Sequence, residues 1–373
     1  MSFCRSLTKV LLPALLAGAL AGCGDDSTGP SPGPKPSISF INLSMAVDLT
    51  PDGSIAAIQD GSSPSGDLYF YHTATGELEF KTRVGDPLRT FASGISAGGA
   101  VSALHGEPVQ AGIWTVAGEW TDISTPYRMG CDQDLSGGWD ISANGRVMVG
   151  LVWNGCGAEG FRWDASGTGI MTPLQRLGQS FTGSTAPPAN RASVISDDGT
   201  IAAGWAQTST VDRWPAIWLA DGSGFMLSGL SEDAPAEVLS ITGDGRVVAG
   251  TWGLDAFYWT EATGMVDIGQ LPGADPIFDF TFPNAIAAHG KLIFGGSGSP
   301  FFTTPRAFVW TAAGMRPLDE VAAAHGVTIP EGYLLTNVLA ASADGSVVLG
   351  TAYDPNFFTV TFVLRLPVTA YGL

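Results

Sequence analysis

Positive charge, histidine and cysteine are all scarce in this chain. Seventeen Lys and Arg stand against 35 Asp and Glu, a net charge of −18 over 373 residues. An acidic surface of that size disfavours the phosphate contacts that hold nucleic acid or anionic lipid headgroups, so no nucleic-acid partner is expected. Four histidines occur, His72, His105, His289 and His325, and no pair has the spacing of metal ligands, so neither a metal nor a cofactor is expected. Beyond the first twenty residues no apolar run is long enough to cross a bilayer as a helix. An activated serine is missing as well. Gly94-Ile95-Ser96-Ala97-Gly98 has the letters of a nucleophile elbow, but that motif needs a strand-to-helix turn, whereas Ser96 falls at the cap position of a repeated hairpin.

Glycine and proline are abundant, 50 and 24 residues in a chain only 14% charged, as in folds of many short strands and tight turns. One turn recurs seven times: an aliphatic residue, Ser or Thr in six copies, a variable residue, Asp or Asn in five, then Gly, followed by an apolar strand. The copies centre on Gly53, Gly99, Gly145, Gly199, Gly245, Gly290 and Gly345, spaced by 46, 46, 54, 46, 45 and 55 residues. A period of this size built from strands marks a β-propeller in which each repeat is one blade. The expected fold is all-β, a seven-bladed β-propeller of four-stranded antiparallel blades over residues 37–373.

The fifth repeat is the cleanest copy and divides into strands a to d, with Asp244-Gly245 supplying the positive φ angles of the a–b hairpin. The hydroxyl three residues before the Gly reads as a turn cap, absent where Ala287 replaces it. Two residues after the Gly the side chain is always aliphatic, and the next position is mostly apolar, so strand b is buried on both faces. Strand c ends on Tyr71, Trp114, Trp163, Trp218, Trp259 and Trp310, with Arg365 at the seventh place; these rings read as packing between blades. Little chain remains for strand d of the last repeat. Residues 37–43 are expected to supply it and so close the ring, with 368–373 the competing segment.

The start of the chain carries an address. Arg5 and Lys9 precede an apolar stretch from Val10 to Leu20, a secretory signal too short to span a bilayer once mature. Leu20-Ala21-Gly22-Cys23 resembles the bacterial lipobox, which implies cleavage after residue 22 and lipidation of Cys23. Gly24 in place of Asp points, by the same resemblance, to the outer membrane or cell surface. Residues 23–36, with Asp25, Asp26 and four prolines, read as an extended tether. With Cys4 cleaved and Cys23 acylated, Cys131 and Cys156 remain, and export favours a disulfide between them that stabilises by ~3 kcal/mol on the chain-entropy model.

Residues 141–150 (ISANGRVMVG), 307–311 (AFVWT) and 314–319 (GMRPLD) resemble the HAF family of exported bacterial repeats. Residues 318–326 match the short helical insertion of that pattern. The likeness covers most of residues 45–367 and is weakest in the first two repeats, which are similar to TolB-type blades. It implies an envelope propeller and transfers no catalytic residue.

In an up-and-down blade the b–c and d–a connections share one face, and these are the ones that vary in length, so binding is expected there. Cys131 in a d–a loop and Cys156 in a b–c loop share that face and one blade. Trp153, Trp205, Trp252 and Tyr353, at or just past the ends of b strands, form the candidate binding rim, with Trp214, Phe280, Phe282, Phe301 and Phe302 adding to the apolar supply. Asp132, Asp134 and Gly137 hint at a calcium loop but lack the closing carboxylate. The leading expectation is a monomeric, lipid-anchored module that binds an envelope protein or glycan without catalysis. The alternatives are a glycosidase or lyase with axial carboxylates such as Asp140, and a structural surface protein.

Overall fold

The computed structural model describes residues 35–62, 66–84, 91–106, 109–123, 135–153, 157–167, 169–299 and 303–373. The leader, most of the tether, Cys23, Cys131, Cys156, Asp132, Asp134, Phe301 and Phe302 lie outside them. Seven four-stranded antiparallel sheets stand in a ring, a seven-bladed β-propeller. Blades one to six take their strands in chain order from residues 45–82, 91–122, 135–173, 190–226, 236–269 and 280–317. Blade seven takes strands a to c from Leu334–Ala341, Val347–Tyr353 and Thr359–Arg365, and its outer strand is Ser37–Ile41, paired antiparallel from Ser37 opposite Arg365 to Ile41 opposite Thr361. The N-terminal strand therefore closes the ring. The tail is no strand: Val368–Tyr371 is a 3-10 turn, packed with the helix Leu318–Ala324 through buried Leu318, Ala370 and Tyr371.

The repeated turn owes its shape to its polar residues. In blade five Thr242 donates to Asp244 (2.7 Å) and accepts from the Val247 N–H (3.1 Å); blades one, three, four and seven repeat the pair of contacts with Thr50, Ser142, Ser196 and Ser342. The Gly alone takes positive φ, +72° at Gly245, so the Asp contributes its carboxylate and not the left-handed backbone expected of it. Where Ala287 removes the hydroxyl, the turn changes: Ala288 and His289 both enter the left-handed region, at φ 50° and 55°.

Strand a carries a β-bulge in every blade. Opposite it, strand b of blades three to seven has glycine: Gly150, Gly204, Gly250, Gly295 and Gly350. A Cβ at any of these would collide with the carbonyl oxygen of the strand-a residue beside the bulge. In four of them the cross-strand partner is a fully buried phenylalanine, Phe161, Phe257, Phe308 or Phe362, whose ring edge lies against the space the glycine leaves. Ile58 and Ala103 take the place in blades one and two.

Neighbouring blades are stitched at the axis. The variable residue of the a–b turn links one blade to the next: Ala97 N–H to Ala143 O, Ala143 to Asp197, Asp197 to Gly243, Ala288 to Ala343 and Ala343 to Pro51, all at 2.7–3.0 Å. Pro51 accepts but has no N–H to pass the series on. Side chains add to the seam, Ser93 Oγ donating to Gly138 O and Ser240 Oγ to Pro283 O, both at 2.7 Å. The ring seam itself is crossed by Arg365, whose guanidinium donates to Thr73 O (2.6 Å). Of the strand-c rings, Tyr71, Trp114, Trp163 and Trp218 are buried, with Trp259 and Trp310 half-buried.

Candidate functional site

The long-loop face does not present its aromatics as one rim. Trp205 is 7% exposed, folded inward beneath two guanidiniums, with Arg213 5.3 Å and Arg191 5.8 Å from its ring; both arginines pair with Glu237. Trp252 is half-buried and donates to Ser231 O (3.1 Å). Trp153 is exposed, and Tyr353 is half-buried. Trp214, read from sequence as a loop residue, is the first residue of a c strand and fully buried, its indole bonded to Leu227 O. A position at the end of strand b does not decide whether a ring turns in or out; arginines from other segments do.

What the loop face does display is an apolar cluster over blades six and seven. The b–c hairpin of blade seven is locked by Asp354, which accepts from the N–H groups of Asn356 and Phe358, both at 2.8 Å. At its tip Phe357 is held at φ +64° and is 73% exposed, next to Phe358 at 68%. A bulky side chain in left-handed backbone costs of order 1–3 kcal/mol, and here the cost is borne to keep a ring in water.

The d–a connection before blade six is built in the same way. Buried Asp279 accepts from Asp275 N–H (2.8 Å) and from the Thr303 hydroxyl. The short turn so formed exposes Ile277, at 70%, and Phe278. Phe280 and Phe282 follow, stacked at 6.0 Å, also exposed. Phe282 and Tyr353 line one cleft of about 220 Å3, Tyr353 lies 6.4 Å from Phe357, and exposed Leu334 pairs opposite Tyr353. The two tips thus belong to one contiguous apolar surface, of the kind that marks an interaction site.

A second place of interest is the axis. A cavity of about 270 Å3 is lined by strand a of all seven blades and extends to the ring of a–b turns, on the face opposite the long loops. Asp48, Asp140 and Asp197 line it. Asp48 accepts from Ile95 N–H (2.9 Å), and Asp140 from the N–H groups of Ile195 (2.8 Å) and Ile141 (2.7 Å), so each carboxyl also bridges to the next blade. Burial, outweighing these hydrogen bonds, pushes Asp48 up to about 6; burial and then the charge of Asp48 push Asp140 well above the usual carboxylate range. Burial first, then Asp198 and Asp244, raises Asp197. Ser96 is a turn cap, accepting from Ala100 N–H (2.9 Å).

No protein-family model matches the chain, and neither does any curated protein. Solved structures do match in fold. An oligogalacturonate lyase from Vibrio parahaemolyticus is 12% identical with a TM-score of 0.57, covering 88% of this chain and 91% of its own. An oligogalacturonate lyase in complex with manganese is 13% identical, TM-score 0.57, covering 90% and 92%. Kuenenia stuttgartiensis hydrazine synthase is 16% identical, TM-score 0.51, covering 93% and 100%. Among the described residues here, no group of three or more His, Cys, Asp or Glu side chains could hold a metal ion, so the residues present do not fit the manganese of the second lyase. The expectation that the chain is no enzyme is corrected, since propellers similar to it include lyases. It rested on finding no reactive constellation along the chain, yet a propeller assembles its axial residues from strands about fifty residues apart. What these likenesses establish for this chain is the seven-bladed β-propeller fold.

Proposed function

We propose that this chain is an exported, lipid-anchored propeller that holds a polypeptide partner at the cell envelope through the apolar long-loop surface of blades six and seven. The observation that carries the reading is Phe357, a strained and exposed ring on a hairpin locked by Asp354. Phe and Ile at loop tips offer no hydrogen-bonding group beside the ring, which a sugar's hydroxyls require, so a polypeptide suits them better than a glycan. Replacing Phe357 and Phe358 together by Ser is expected to abolish retention of one discrete envelope protein captured by the unaltered chain, with no loss of thermal stability. Retention unchanged in the variant would sink the reading.

The lipobox supports anchoring at Cys23, and no described helix is long and apolar enough to cross a membrane. Cys23→Ser is expected to move the protein from the membrane pellet to the soluble fraction, as measured by immunoblot; a variant that still sediments with membrane would show another anchor.

One observation favours a second reading, chemistry on a small substrate at the axis: Asp48, Asp140 and Asp197 share one cavity, and a carboxylate whose pKa has risen is a stronger base for proton abstraction. Oligogalacturonate is the first substrate to offer, with the ultraviolet absorbance of an unsaturated product as readout. Turnover that falls at least a hundredfold in Asp197→Asn would support it, and no turnover in the unaltered chain would remove it.

A further inference from the structure

Beside the apolar cluster lies a cleft of about 350 Å3 over blade five on the same face, walled by its b–c turn and by the d–a connections on either side of it. Its wall includes the indole of Trp252, oriented by its bond to Ser231 O, and the carboxylates of Asp233 and Asp255. Neither carboxylate is paired with a cation among the described residues, and no lining residue is cationic. The cleft is joined to the apolar surface through hydrogen bonds. Gln270 in its wall donates to Leu254 O (3.5 Å) and to Asp279 O (3.0 Å), and Thr281 N–H donates to the same Leu254 oxygen (2.9 Å). Pro276, also in the wall, is followed directly by exposed Ile277 and Phe278.

An indole and two uncompensated carboxylates lining one cleft are the environment that a guanidinium or ammonium group seeks: the ring and both charges attract it, and its aliphatic stem covers apolar surface. Burial, and after it Asp267, raises the Asp255 carboxyl, as an unneutralised negative charge in a cleft requires. The strongly acidic chain draws a cation toward it from a distance. We infer that the cleft is a slot for an arginine or lysine side chain, so that the polypeptide held on the apolar surface carries a basic residue immediately beside its apolar ones. The inference rests on the reading of that surface as a polypeptide site.

The test uses the full chain in detergent and four synthetic pentapeptides, two Phe on either side of a central Arg, Lys, citrulline or Glu, with affinity read from quenching of tryptophan fluorescence. Arg and Lys peptides are expected to bind at least tenfold more tightly than citrulline, and Glu more weakly still. The Asp233→Asn, Asp255→Asn double variant is expected to lose this tenfold preference for Arg and Lys over citrulline. Equal affinities for the unaltered chain, or no binding by any peptide, would overturn the inference, as would a preference that survives in the double variant. The envelope protein separates this failure from that of the apolar site. If its capture is lost with Phe357→Ser, Phe358→Ser but is unaffected by the double aspartate variant, the surface stands and the slot falls; if neither variant changes it, both fall.

Discussion

Gly250→Ala is expected to cost at least ~4 kcal/mol and to lower the melting temperature by roughly 5–10 °C, a larger effect than an exposed or ordinary buried glycine gives. Gly250 sits in strand b opposite the bulge of strand a, with backbone φ outside the left-handed region, so the conformation itself would accept alanine. Space does not. The added methyl group meets the Glu237 carbonyl oxygen, which is backbone and cannot rotate away, and the ring of fully buried Phe257 on the other side. Relief requires moving strand a, and strand a of blade five is fixed to blade six through Ser240 Oγ and Pro283 O. Gly169→Ala, at a position where an added Cβ meets nothing, tests φ strain alone and is expected to cost less. Calorimetry on both variants checks the comparison; a Gly250→Ala protein that melts within 2 °C of the parent would mean that the bulge is not as rigid as its hydrogen bonds imply.

Asp48→Asn is expected to stabilise the protein at pH 8, by about 1–2 kcal/mol after allowance for the open cavity, and to flatten its stability between pH 4 and 6.5. The carboxyl of Asp48 is raised from its ordinary 3.8 to about 6, chiefly by burial. The fold therefore prefers the protonated form. That preference contributes fully below the unfolded-state pKa and is lost as pH rises through about 6, so ionisation of Asp48 works against the fold at neutral pH. Asparagine keeps an oxygen to accept from Ile95 N–H and carries no charge. The turn acids act with the opposite sign: Asp52, held below the usual range first by the N–H of Ser54, contributes stability above pH 4 that is lost on acidification. The two windows do not overlap. Urea unfolding at pH 4, 5, 6, 7 and 8 resolves them; a parent whose stability rises from pH 4.5 to 6.5 would contradict the sign given to Asp48. Asp140→Ala differs in kind, since it strands the N–H groups of Ile141 and Ile195 and is expected to destabilise at every pH.

The blade count and the closing strand were legible because the turn motif repeats with little decay, its glycine in all seven copies and its hydroxyl in six. Ala287 was legible as an exception but not in its effect, the left-handed pair Ala288 and His289. The glycines opposite the bulges were in plain view five residues after each motif glycine in blades three to seven. Their meaning needs the bulge, which no local pattern announces. Asp48 and Asp140 both stand five residues before a motif glycine, so aligning the repeats pairs them, yet burial of both at one axis follows from ring closure and not from either neighbourhood. Trp205 is the opposite case: its position suits a rim, and Arg191, its cross-strand partner, and Arg213, in the b–c connection that follows, cover it. The signal for Phe357 was present in Asp354-Pro355-Asn356, a turn sequence followed by two phenylalanines.

The most direct test of the proposed polypeptide site is photo-crosslinking in intact cells, with a photoreactive phenylalanine analogue placed in turn at Phe357, at Phe278 and, on the opposite face, at Asn144. The account predicts one protein adduct of the same mass from positions 357 and 278 and none from 144. An adduct from 144 with none from the loop face would place the interaction on the turn ring beside the axial cavity and contradict the account.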